Sequence, residues 1–112
     1  MAYDEGLAER MRAVLEGRND IEEKHMFGGI GFLLRGNMAC GVHKDWLIIR
    51  IGEDRYRESL ELPHVRDFDL TGRAMKGWLV VDPPGYDDDG QLEEWMQAGI
   101  SFAETLPPKQ KK

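Results

Sequence analysis

The stretch MFGGIGFLLRGNMACGVHKDWLIIRI, residues Met26 to Ile51, decides the fold. Its β-branched, aromatic and glycine-spaced residues fall into three runs, separated by Gly36-Asn37 and by Lys44-Asp45. Two-residue separators join antiparallel neighbours, so the spacing predicts a three-stranded meander. Gly36 suits the first central position of a type II′ turn, and Lys44-Asp45 is the weaker hairpin signal. With two central residues per turn, Leu33 faces Cys40 and Cys40 faces Ile49, while Phe32 faces Gly41 and Gly41 faces Ile48. Side chains alternate along a strand, so one sheet surface would carry Leu33, Met38, Cys40, Val42, Leu47, Ile49 and Ile51 as a core face. The other would carry Ile30, Phe32, Leu34, Ala39, His43, Trp46, Ile48 and Arg50. Its large apolar members, Ile30, Phe32, Leu34, Trp46 and Ile48, would form too wide a patch to stay in water. Either the chain's own helices or a second chain must cover it.

Outward from the meander, Asp4 to Leu15 places Leu7, Ala8, Met11, Val14 and Leu15 at helical spacing, with Gly17 as the C-terminal stop. Glu53 to Leu60 is a short charged helix ended by Pro63. Val65 to Leu70 and Gly77 to Asp82 read as strands about a turn at Thr71-Gly72, and the all-apolar Trp78-Leu79-Val80-Val81 marks the second as interior. After Pro83-Pro84, the Asp87-Asp88-Asp89-Gly90 segment offers helix caps. Leu92, Trp95, Met96, Gly99, Phe102, Ala103 and Leu106 then recur at intervals of three or four, a final helix ended by Pro107-Pro108. One domain over 1–108 and a frayed basic tail over 109–112 account for the chain, since 112 residues suffice for a single core.

Composition narrows the function. The net charge is −6, and the cationic tail makes the body more negative still, so direct nucleic-acid binding is not expected. Arg66, Arg73 and Lys76 read as dispersed surface cations. No apolar run is long enough to span a bilayer and the N-terminus lacks a signal-peptide pattern, so no membrane association and a cytoplasmic location are expected. The single cysteine, Cys40, fits a reducing compartment.

Candidate chemistry weighs little against structural readings. Cys40 and His43, with His25 as a third ligand, have half of a zinc spacing, yet positions three apart on one strand point to opposite faces. Gly28, Gly29 and Gly31 precede a strand, whereas a phosphate loop follows one and opens a helix; a bulge or close backbone crossing is the reading. The Asp87 to Asp89 run fails calcium-loop spacing, because Met96 falls where a bidentate glutamate belongs. Neither serine, Ser59 or Ser101, sits in a nucleophile elbow. No catalytic residue, metal site or cofactor is therefore expected, and the chain reads as non-enzymatic.

Three segments carry a family likeness: Met26-Phe27-Gly28-Gly29, then Gly72-Arg73-Ala74-Met75-Lys76-Gly77-Trp78, then Leu106-Pro107-Pro108-Lys109. Together with the opening Met1 to Leu7 and the Gly36-Asn37-Met38 hairpin, they resemble the TfoX N-terminal domain family. The resemblance implies an α+β domain of order α-β-β-β-α-β-β-α, a mainly antiparallel sheet packed by helices. It also implies kinship with regulators of natural competence that work with the transcription machinery. Those regulators continue into a further C-terminal domain, so their role is not expected to transfer directly. Of the matching positions, Met26, Phe27, Gly28, Gly29, Gly72, Gly77 and Trp78 read as turn and core elements.

The expected function is a regulatory or protein-interaction module with an unidentified protein partner, linked to transcription through that partner. Its surface would comprise Ile30, Phe32, Leu34, Trp46 and Ile48, or lie near Arg73 and Lys76. A homodimer through the apolar sheet face is the leading form. The alternative is a small-molecule binder or enzyme with a pocket at the glycine-rich segment 26–31, beside Trp78.

Overall fold

The computed structural model describes residues 3–26, 28–69 and 75–108. The opening helix, α1 (Glu5–Val14), begins where Asp4 accepts a hydrogen bond from the Leu7 amide at 3.1 Å, and it buries Leu7, Ala8 and Met11. Four strands follow: β1 (Ile21–Met26), β2 (Gly29–Leu34), β3 (Asn37–His43) and β4 (Trp46–Arg50). Then come α2 (Glu53–Leu60), β5 (Val65–Asp67), β6 (Trp78–Val81), a 3-10 turn over Pro83–Tyr86 and α3 (Asp89–Glu104). All neighbouring strands run antiparallel in one sheet ordered β1-β2-β3-β4-β6-β5. The α+β class and the expected order of elements are observed, and β6 lies inside the sheet as its four apolar residues require.

One strand precedes the expected meander. The β1 sequence, Ile-Glu-Glu-Lys-His-Met, lacks apolar alternation because it is an edge with four exposed central residues. Arg12 of α1 fastens it, donating through Nε and Nη2 to the two carboxylate oxygens of Glu23 at 2.8 Å each. That contact holds the Glu23 carboxyl below its usual range.

The register between β2 and β3 differs from the expectation. The turn is Arg35-Gly36, with φ of 52° and 86°, so both central residues occupy the left-handed region of a type I′ hairpin. Asn37 thereby becomes the first residue of β3, buried, with Nδ2 donating to the Pro107 carbonyl at 2.9 Å. This displaces the pairing by two positions, which alone keeps every side chain on its face. A bulge then leaves Ala39 without a partner, since Leu33 pairs with Met38 but Phe32 pairs with Cys40. An odd displacement exchanges faces. The β3–β4 register is as expected, with Cys40 opposite Ile49 and Gly41 opposite Ile48 around Lys44-Asp45.

The faces are consequently recomposed. Ile30, Phe32 and Leu34 join Cys40, Val42, Leu47 and Ile49 beneath the helices, each no more than 2% exposed. Leu33 and Met38 instead join Ile48, Val80 and Phe68 on the opposite side, with Met26, Trp46 and Trp78 packed against them. All three helices pack on the first face.

Helix α3 starts at a capping box: Asp88 accepts from the Gly90 and Gln91 amides, and the Gln91 side chain accepts from the Asp88 amide. Its inward face is Leu92, Met96, Gly99, Ile100 and Ala103. Of the other residues in the repeat, Trp95 and Phe102 lie half-buried on the flanks and Leu106, half-buried, follows the end of the helix. Gly99 selects this rotation, because any Cβ there would collide with the Ala39 carbonyl beneath it.

Candidate interaction surface

The expected patch of Ile30, Phe32, Leu34, Trp46 and Ile48 is not one surface. The bulge puts the first three under α1 and α3, and only Trp46 and Ile48 belong to the open side of the sheet. Nor is the open side a bare apolar sheet. Ile48 and Val80 are wholly buried and Phe68 is 4% exposed, its ring 6.1 Å from that of Trp78. Gly31 and Gly41 pair across β2 and β3, and a Cβ on Gly31 would lie 2.8 Å from the Met26 sulfur. Absence of side chains there lets Met26 and Met38 lie down over the sheet.

Half-buried tryptophans with cations beside them complete this side. Trp46 opens β4, and its ring has the Arg66 guanidinium 4.5 Å and the Lys44 ammonium 5.4 Å from its centroid. Arg66 also forms a two-point ion pair with Asp82 at 3.0 and 3.1 Å. At the other end of β4, the Arg50 guanidinium lies 5.1 Å from the Trp78 centroid and 5.5 Å from that of Phe102. No carboxylate among the described residues is within ion-pair distance of Arg50, and partial burial lowers its pKa. Lys76 is exposed just before β6, and Lys24 shares the face of its partner Gly31. Arg73, Phe27 and Gly72 lie outside the described residues.

The glycine-rich segment has a structural role. Gly28 takes a φ of 76° in the β1–β2 turn, and a Cβ on Gly29 would collide with the Val42 carbonyl. Of the segment expected to line a pocket beside Trp78, Phe27 lies outside the described residues, and Met26 packs with Trp78 against one apolar cluster. Ile30 lies in the row of Val42, Leu47 and Val81, whereas Trp78 is three residues along β6 and three strands away from β2. Gly77, with φ of 90°, ties β6 to the end of β4 by accepting from the Ile51 and Gly52 amides at 2.8 and 3.1 Å.

Other candidate groups are separated. Cys40 is fully buried under the helices, where desolvation raises its thiol pKa to about 12. His43 stands on the opposite face, its ring 5.2 Å from Trp46, and His25 lies beside Tyr3 at 6.3 Å. Among the described residues no three His, Cys, Asp or Glu side chains are placed to hold a metal ion, and no helix is long and apolar enough to cross a membrane.

Grooves occur between α2 and α3. One of about 330 Å³ is lined by Ser59, Leu62, His64, Gln91 and Trp95 among others. A second of about 500 Å³ continues it past Arg55 and Ala98 to Gly52, Ser101 and Phe102. Leu62, 48% exposed, stands at its mouth. Sequence reasoning passed over this groove, which combines residues about 30 positions apart on two helices. In the sequence Arg66 reads as a dispersed cation, Lys44 as half of a weak hairpin signal and Arg50 as the last member of the second sheet surface. Their positions flanking β4 were the available signal.

One antiparallel sheet with three helices on one side, and tryptophans set among cations on the other, defines a small α+β domain. The TfoX N-terminal domain family matches residues 13–103, and the chain belongs to it. No curated protein and no solved structure matches the chain.

Proposed function

We propose that this domain is a non-enzymatic cytosolic regulatory module that acts by binding another protein through the open side of its sheet, and that its link to transcription runs through that partner. The carrying observation is the line of β4, where Trp46 and Trp78 are held half-buried by Lys44, Arg66 and Arg50 while the apolar floor between them is closed. Tryptophan and arginine fixed at low entropy cost are the residue types that dominate binding energy at protein interfaces. Family membership supports a regulatory domain. Self-association is less favoured than a different partner, because a two-fold dimer on this face would set its cations against their own copies.

Quantitative affinity capture from the source cell tests the reading, comparing the native chain with Lys44→Glu/Lys76→Glu and with Leu62→Ser. A partner lost with the first variant and kept with the second supports it. A partner lost only with Leu62→Ser would move the site to the helical groove. Light scattering on the purified chain checks self-association, and a mass near 12.8 kDa is expected.

The α2–α3 groove favours a second reading, a small-molecule binder, because its 330 Å³ lobe falls within the size of ligand pockets. Thermal-shift screening tests it, since a ligand at 100 times its dissociation constant stabilises by about 2.7 kcal/mol.

A further inference from the structure

The charges of this acidic protein are unevenly distributed. Helix α3 contains Asp89, Glu93, Glu94 and Glu104 with no lysine or arginine, and it lies on the covered side. The open side gathers Lys44, Arg66 and Arg50 around β4; Asp82 there is engaged by Arg66, and Glu22 of β1 shares the face of its partner Leu33. The other two helices carry arginines, Arg10 and Arg12 on α1 and Arg55 and Arg57 on α2, so the contrast is between α3 and β4.

Two stations follow from the geometry. Lys44 stands with Trp46 at one end of β4, and Arg50 with Trp78 at the other. Trp46 and Arg50 stand four positions apart on the strand, about 13 Å of extended chain. Arg50 is the sharper of the two: at the end of the sheet its planar fork of donors lies beside the Trp78 ring and the Phe102 ring of α3, with no carboxylate among the described residues within ion-pair distance. A partly desolvated guanidinium in that setting gains most from a carboxylate brought by another molecule.

The geometry points to an acidic segment of a partner protein as the occupant of this face, an extended peptide placing one carboxylate at Arg50 and a second, about four residues away, at Lys44. This rests on the open side being the association surface and names the chemistry of what binds there. A nucleic-acid strand suits the face less well, because the chain as a whole carries a net charge of −6 and repels phosphate.

The test is fluorescence anisotropy with a labelled glycine–serine peptide carrying two glutamates four residues apart, against the same peptide with glutamines and against a single-stranded oligonucleotide. The glutamate peptide should bind measurably and weaken with added salt, and the glutamine peptide should bind about tenfold or more weakly. Arg50→Gln and, independently, the exposed Lys44→Gln should each reduce glutamate-peptide binding, with folding verified by circular dichroism. No preference for glutamate over glutamine, affinity unchanged in Lys44→Gln, or tighter binding of the oligonucleotide would overturn the assignment. If the peptide fails while Lys44→Glu/Lys76→Glu still loses the captured cellular partner, the acidic chemistry falls and the surface stands.

Discussion

Phe32 stands opposite Cys40 across β2 and β3, and that pairing decides which half of the meander the helices cover. With Ala39 in the bulge, Phe32 enters the core at 2% exposure. Phe32→Ala should therefore cost about 3 to 5 kcal/mol in chemical denaturation. A loss below about 1 kcal/mol would mean that the ring is on the open side.

Gly29 and Gly17 make a controlled pair. A methyl group at Gly29 has no room against the Val42 carbonyl, whereas Gly17, at φ of 90°, has nothing within 4 Å of a built Cβ. Gly29→Ala should destabilise by about 2 kcal/mol or more through a backbone clash. Gly17→Ala should lose only about 1 to 2 kcal/mol from its left-handed conformation. Equal, small losses measured by thermal unfolding would contradict the close crossing at Gly29.

Cys40 should be inert in the folded chain. Its thiol is raised from 9.0 to about 12 by burial, so the folded state retains a proton that the unfolded state releases. The sign is fixed by that difference: the stabilisation is complete below about pH 9 and is lost as pH rises toward 12. Tyr86, raised to about 12 by burial and donating its hydroxyl to the Asp45 carbonyl at 2.6 Å, acts in the same direction above its ordinary value of 10.0. Denaturation midpoints should fall across this alkaline range. Disulfide-exchange reagents should label Cys40 only at the rate of unfolding, and rapid labelling at neutral pH would contradict its position.

The α3 cap gives a local check. Asp88→Ala removes the acceptor for the Gly90 and Gln91 amides and should cost about 1 kcal/mol. Asp88→Asn should retain most of that stability, because an amide oxygen still accepts. Equal losses in both variants by thermal melting would mean that the side chain acts by charge alone.

The helices and β4 were legible because their signals are local. Glu53–Leu60 has the bounds that its charge pattern and Pro63 set, and Lys44-Asp45 gives the register of β3 against β4. What escaped depends on tertiary contact. Asn37 is drawn into β3 by the Pro107 carbonyl, 70 residues away, and the Ala39 bulge answers to Gly99 of α3. Neither is visible in a turn of two residues, yet the bulge reassigned Ile30, Phe32 and Leu34 from the candidate surface to the core. β1 escaped because a charged edge strand carries no apolar alternation. The surface cations escaped for a related reason: Arg66 and Trp46 are 20 residues apart and meet only through the β4-β6-β5 order.

The chain has three tryptophans, two on the open side of the sheet and Trp95 in the helical groove, so hydroxyl-radical footprinting of the partner-bound domain reads both surfaces at once. Loss of labelling at Trp46 and Trp78 with Trp95 unchanged is the predicted result. Protection of Trp95 with Trp46 and Trp78 still labelled would contradict the account.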